Sequence, residues 1–163
     1  MNKRDFIEQM RSTQEPLMKM VEMVPDGRLG WAPAEGFMTV GQLLKHVSQN
    51  WSAVRMMVTN DWPAMSPEEM EEAMKLENLP ACSKEDALEA MRKDLSDAAA
   101  YIEGEISEED FFAKGVSAPW GFKGEIWQAV LLVKDHQVNH KMQLHLYLKM
   151  LKVPVNTQTL YGM

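Results

Sequence analysis

Residues 125–152 read EIWQAVLLVKDHQVNHKMQLHLYLKMLK, and this stretch decides the fold class. Its apolar residues recur every three to four positions, which is the period of one face of an α-helix. Pro154 halts the pattern, because the residue before a proline is pushed out of the helical conformation. We therefore predict one long helix from Glu125 to Lys152.

Three further segments show the same period, whereas the strict alternation of half-buried strands is almost absent. They run from Lys3 to Val24, from Thr39 to Asn60, and from just after Ser83 to Ile106. Segments of roughly 22 residues form helices about 33 Å long, and four such helices can bury their apolar stripes only against one another. The sequence thus predicts an all-α four-helix bundle, with residues 1–163 as a single domain.

The connections between these helices indicate the path of the chain. A loop is expected at 25–38, and a short connector helix capped by Ser66 is expected to end before Pro80. Segments 61–82 and 107–124 are longer than hairpin loops require, so we expect medium-length crossover connections in place of a plain up-down-up-down bundle. The second of these is rich in aromatic residues and is predicted to be packed and irregular.

Composition excludes several functional classes. The net charge is -7, and no run of Lys or Arg is present to follow a phosphate backbone, so neither nucleic acid nor an anionic membrane surface is an expected partner. Cys82 is the only cysteine, which excludes an internal disulfide and fits a reducing compartment. No apolar run is long enough to be a signal peptide or to cross a bilayer. We expect a cytoplasmic protein.

Three of the four histidines form a candidate metal site. His136 and His140 lie four residues apart, on one helix face that we expect to point into the core. His145 is rotated to the far side of that helix and cannot join them. His46 is on the second helix, on a stripe that can also point inward. Two buried imidazoles need a partner for their nitrogens, and a divalent metal provides one.

Such a site has the character of a catalytic metal centre. Three histidines leave a coordination position open for water or substrate, as in catalytic zinc sites. The Glu-x-x-His pattern of di-iron bundles and the His-Glu-x-x-His pattern of zincins are both absent. Imidazole ligands suit several transition metals, with zinc or nickel as the expected ions. Asn50, Asp135 and Asn139 are candidates for hydrogen bonds to the histidines, although an ordinary polar surface is the commoner explanation for such residues.

Four stretches of the sequence resemble the DinB-like superfamily of damage-inducible bacterial proteins. They are Trp31–Pro33, Thr39–His46, Asp135–Leu144 and the tail Leu160–Gly162. The resemblance implies a four-helix bundle, usually a homodimer, in which His46, His136 and His140 bind a divalent metal. Family members commonly have His-Arg-Gly-Gln where this chain has His140-Lys141-Met142-Gln143, a departure that leaves the ligands intact.

The function expected from this resemblance is metal-dependent chemistry on a small molecule. Some relatives are thiol-dependent S-transferases or isomerases that use low-molecular-weight thiols. A metal with three neutral ligands keeps its charge of +2, so it acidifies a bound thiol or water, which fits a transferase or a hydrolase. We predict a thiol S-transferase. The alternative is a non-catalytic metal-binding or dimeric bundle protein.

Overall fold

The structure is a computed structural model that describes residues 2–163, apart from the side chain of residue 67. It contains eight helices, a two-stranded hairpin and a short 3-10 turn within these residues. In chain order they are α1 (Lys3–Glu22), α2 (Val40–Val47), α3 (Ser52–Thr59), α4 (Pro67–Ala73), the 3-10 turn (Leu76–Asn78), α5 (Lys84–Glu105), α6 (Glu108–Ala113), β1 (Gly115–Ser117), β2 (Lys123–Glu125), α7 (Ile126–Met150) and α8 (Thr157–Tyr161). The all-α prediction is confirmed.

The predicted helix starts are stabilised by side-chain caps. Thr39 accepts a hydrogen bond from the backbone N–H of Gln42, whose side chain in turn accepts from the backbone N–H of Thr39. Ser66 forms the same reciprocal pair with Glu69, and Ser83 caps α5. Each cap satisfies backbone N–H groups that the first helical turn leaves free.

Four long segments, α1, α2 with α3, α5 and α7, form the bundle. Both α1 and the α2–α3 segment pack against α5 and α7, so α1 and α2–α3 occupy diagonal positions. α1 runs antiparallel to α5, since Lys3 reaches the carbonyl of Ile106 at one end and Lys84 reaches that of Val24 at the other. Helices that follow one another along the chain are therefore not always neighbours in the bundle, and the topology is not up-down-up-down.

The α2–α3 segment runs parallel to α5. The start of α2 meets the start of α5, where Cys82 N–H donates to the carbonyl of Gly41 at 3.2 Å, and Trp51 meets Asp94 further along. A parallel pair requires the chain to return along the bundle before the second helix begins. The medium-length connection 61–82, which contains α4 and the 3-10 turn, provides this return.

The predicted continuous helix from Thr39 to Asn60 is wrong, because the helix breaks at residues 48–51. Trp51 precedes α3 as its N-cap residue, and its side chain makes no capping hydrogen bond. Instead, the Asp94 carboxylate on α5 accepts hydrogen bonds from the backbone N–H groups of Trp51 at 2.6 Å and Ser52 at 3.0 Å. A buried carboxylate that accepts two backbone hydrogen bonds stabilises the break. Apolar periodicity cannot predict such a break, because the carboxylate lies on another helix.

The crossover 107–124 contains more regular structure than predicted. It forms α6 and a short antiparallel hairpin in which Val116 pairs with Gly124. Phe111 is fully buried and meets Phe6 of α1 edge to face, with ring centroids 5.1 Å apart. Trp120, by contrast, is 62% exposed. Strands of three residues are too short to produce a recognisable alternation in sequence.

The core has two apolar clusters with polar side chains between them. One cluster includes Phe6, Trp51 and Ile126, and the other includes Leu17, Leu43 and Leu148. We name the buried polar side chains between the clusters the polar layer; its members are Thr13, Gln14, Ser48, Asn50, Asp94, Gln137 and Lys141. Within residues 2–163, no helix is both long enough and apolar enough to span a membrane.

Candidate metal centre

Three imidazole rings converge at the level of the polar layer. His46 lies in the last turn of α2, and His136 and His140 lie on consecutive turns of α7. The Nε2 atoms of His46 and His136 are 3.0 Å apart, and one ring nitrogen from each histidine falls within 4.8 Å of the other two. The structure therefore brings together all three predicted ligands.

This geometry fits a divalent metal ion. Nitrogens bound to one tetrahedral ion at about 2.1 Å lie roughly 3.4 Å from one another, which is close to the arrangement of the three rings. Three imidazoles on two helices leave one side of the cluster without a protein ligand among residues 2–163. Such an open side is what distinguishes a catalytic site from a closed structural site.

His46 and His136 are in the protonation state that metal binding requires. Burial lowers the pKa of the His46 imidazole, and the neighbouring His140 lowers it further. Burial also lowers the pKa of His136 to about 4, with additional contributions from His140 and His46. Both rings are thus neutral at pH 7 and present lone pairs to a cation.

The expectation that these rings lie in the core is wrong, because they line the rim of the bundle. His46 and His136 are exposed as whole residues, although their ring nitrogens face each other and are partly enclosed, and His140 is half-buried. The α7 residues that enter the core beside them are Gln137, which is fully buried, and Lys141, which is 8% exposed. His136 and His140 each precede one of these core residues by one position, which is about 100° around the helix axis. The ligands therefore lie at the edge of the core, where solvent can reach them.

A chain of hydrogen bonds fixes the tautomer of His140. The backbone carbonyl of Met38 only accepts, so the Tyr147 hydroxyl donates to it, at 3.0 Å. The hydroxyl oxygen then accepts from Gln143 Nε2 at 3.0 Å, which turns Gln143 Oε1 toward His140 Nδ1 at 2.8 Å. An amide oxygen can only accept, so Nδ1 carries a proton, and in the neutral imidazole the lone pair is then on Nε2. We call this chain the His140 relay.

The polar layer holds His46 opposite the pair on α7. Asn50 follows the end of α2, and its Nδ2 donates to the backbone carbonyl of Val133 at 3.0 Å, one turn before His136. Asp94 fixes the start of α3, just after Asn50, through its two hydrogen bonds from the backbone N–H groups of Trp51 and Ser52. Asn50 was a candidate for hydrogen bonding to a histidine, but its contact is with the backbone of α7, so it fixes the spacing of the two ligand-bearing helices.

The remaining candidates lie away from the triad. His145 is buried, and its Nε2 lies 3.2 Å from the carbonyl of Asn156, so it packs the chain end and does not join the site, as predicted. Asp135 and Asn139 are exposed and make no hydrogen bond to the triad among residues 2–163. Burial raises the pKa of the Cys82 thiol, which opposes its use as a nucleophile.

Sequence reasoning missed the His140 relay and Asp94. Gln143 and Tyr147 follow His140 at three and seven residues, so helical spacing places them on the same face, and this spacing was the available signal. No local pattern relates Asp94 to Trp51, because their contact joins two helices. Gln14 was missed for the same reason; its Oε1 accepts from the buried Trp51 indole at 2.6 Å.

Comparisons with known proteins agree with this architecture. The DinB superfamily family model matches residues 9–144. The fold is similar to that of a DinB-like protein from Bacillus cereus ATCC 10987, with a TM-score of 0.74 and 15% identity over 95% of this chain and 97% of that one. No curated protein matches the sequence. The family match covers most of the chain, including all three histidines, and the chain therefore belongs to the DinB superfamily.

Proposed function

We propose that this protein binds a divalent transition metal, zinc or nickel, through His46, His136 and His140. The observation that carries the proposal is the convergence of three imidazoles around one open side, with the pKa values of His46 and His136 lowered by burial. The fixed tautomer of His140 supports it, since this ring is already oriented with Nε2 free. Membership of a superfamily whose members generally bind metal gives further support.

We further propose that the metal centre serves a thiol S-transferase that acts on a small molecule in the cytoplasm. A bound divalent ion with three neutral ligands keeps its full charge and lowers the pKa of a thiol that joins it. The chain itself holds the ligands in place through the His140 relay and the polar layer. No side chain among residues 2–163 is required as a dedicated base, since the acidified thiol releases its proton to solvent.

The transfer proposal is tested with a general electrophile and a panel of low-molecular-weight thiols. In the reaction with 1-chloro-2,4-dinitrobenzene, the thiol sulfur forms a bond to the ring carbon, chloride leaves and the thiol proton passes to the buffer. We expect metal-loaded wild type to accelerate product formation with at least one thiol. His136→Gln, treated identically, should not. Equal rates for the two proteins across the panel contradict a transferase at this site.

A second candidate, a bundle protein that acts as a homodimer, is supported by the outer face of α7. Val138, Met142, Leu146 and Met150 follow one another at intervals of four and are 37%, 42%, 47% and 58% exposed. Such a stripe is typical of a helix face that packs against another protein. Sedimentation analysis of Leu146→Glu should show monomers where wild type forms dimers, while Met74→Glu, at an exposed site at the end of α4 and outside this stripe, should leave the dimer intact.

A further inference from the structure

A groove opens directly beside the histidine triad, between α2 and the chain that follows α4. The Gln42 side chain holds this chain against α2, because its Nε2 donates to the carbonyls of Leu76 at 2.8 Å and Leu79 at 3.1 Å. A hydrogen bond from Cys82 N–H to the Gly41 carbonyl holds the far end. The space between α2 and this chain segment has a volume of about 220 Å³, and His46 is one of the residues that line it.

The lining of the groove combines a cation with an apolar wall. Its residues are Gln42, Lys45, His46, Gln49, Leu79 and Pro80. Lys45 makes no salt bridge within residues 2–163, and its ammonium donates only to the neutral amide of Gln49, at 3.1 Å. Several other lysines of this acidic protein, such as Lys84 with Asp26, do have acidic partners. Lys45 is half-buried as a residue, and an ammonium without a counter-ion favours an anionic ligand.

The size of the groove limits what it can hold. Its volume corresponds to about seven water molecules at about 30 Å³ each, which accommodates a short chain of atoms but not a large cofactor. Lys45 and His46 are adjacent in sequence and line the same groove, so a ligand that spans from one to the other is short. Leu79 and Pro80 offer it an apolar surface along the way.

We propose that this groove binds the small-molecule thiol through a carboxylate that pairs with Lys45, while its sulfur reaches the histidine triad. The inference rests on the proposed metal site and adds the substrate class: a thiol that carries a carboxylate a few carbons from sulfur. Lys45 is then a specificity-determining residue that distinguishes acidic thiols from neutral ones. The thiol proton passes to solvent when sulfur binds.

The test compares two probes that differ only in charge, 3-mercaptopropionate and its neutral amide, 3-mercaptopropionamide. Both are titrated into the full-length protein loaded with Co(II), and binding is followed by the absorption band that a sulfur ligand gives to this ion. Lys45→Met is the test variant. Lys134→Met is the matched control, because Lys134 lies two residues from His136 on α7 but bonds to Gln9 of α1, outside the groove.

We expect wild type and Lys134→Met to bind the acid about 5- to 10-fold more tightly than the amide, and Lys45→Met to lose that preference while still binding the amide. If Lys45→Met keeps the wild-type preference for the acid, or if wild type has no such preference, the proposed role of Lys45 is wrong, and the proposed metal site is unaffected. If wild type takes up no Co(II), or neither probe produces the band, the proposed function itself fails, and this inference fails with it.

Discussion

Removal of the acceptor that fixes His140 is expected to weaken metal binding without loss of the fold. In Gln143→Leu, the His140 Nδ1–H loses its 2.8 Å hydrogen bond, and the Tyr147 hydroxyl keeps its bond to the Met38 carbonyl. A metal-bound imidazole is a strong donor, and hydrogen bonds of this kind contribute about 1.5–3 kcal/mol. That corresponds to roughly a 10- to 100-fold weaker affinity, the range found when hydrogen-bond partners of metal ligands are removed.

The assay is competition for zinc or cobalt against a coloured chelator at pH 7, with thermal unfolding of the metal-free proteins measured alongside. Asn139→Leu is the matched control, because Asn139 is exposed on the same helix and adjacent to His140. Gln143→Glu should retain affinity, since a carboxylate also accepts from Nδ1. The reasoning is refuted if Gln143→Leu binds as tightly as wild type, or if Asn139→Leu loses affinity to the same degree.

Three other predictions concern the stability of the protein. The folded state lowers the pKa of His136 from an ordinary value of 6.5 to about 4, so the metal-free protein should lose stability as the pH falls from 6.5 to 4. His136→Gln should lose less stability over that range, as measured by urea unfolding. Asp94→Asn should cost about 1–3 kcal/mol by the same method, whereas Asp97→Asn, at an exposed site on α5, should be nearly neutral. Trp51→Phe removes the donor to Gln14 and part of a fully buried ring, so we expect a loss of about 2–3 kcal/mol; a loss below about 0.5 kcal/mol would contradict this account.

Local features of the sequence were sufficient to predict the bundle and the starts of α2, α4 and α5. Thr39, Ser66 and Ser83 are followed three residues later by Gln42, Glu69 and Asp86, and the caps form between these positions. A cap depends on residues within one turn, so it can be recognised without knowledge of the fold. That His136 and His140 lie together was also predictable, because they share a helix face, whereas His46 was joined to them through its inward stripe and the family resemblance.

The features that were not predictable depend on contacts between helices. The break at residues 48–51 is stabilised by Asp94, which lies on another helix. The position of the triad at the rim depends on Gln137 and Lys141 taking the core positions, although both are polar. Periodicity assigns apolar residues to the core. Where polar side chains are buried instead, as in α7, the predicted core face is displaced by one residue from the true one.

The central claim, that His46, His136 and His140 form one metal site, is tested most directly by elemental analysis. Untagged wild-type protein and a His136→Ala, His140→Ala variant are purified side by side without chelator, with folding checked by circular dichroism. We predict about one transition-metal ion per chain in wild type and none in the folded variant. A metal-free wild type, even after reconstitution with zinc or nickel, or equal metal content in the two proteins, would contradict the claim.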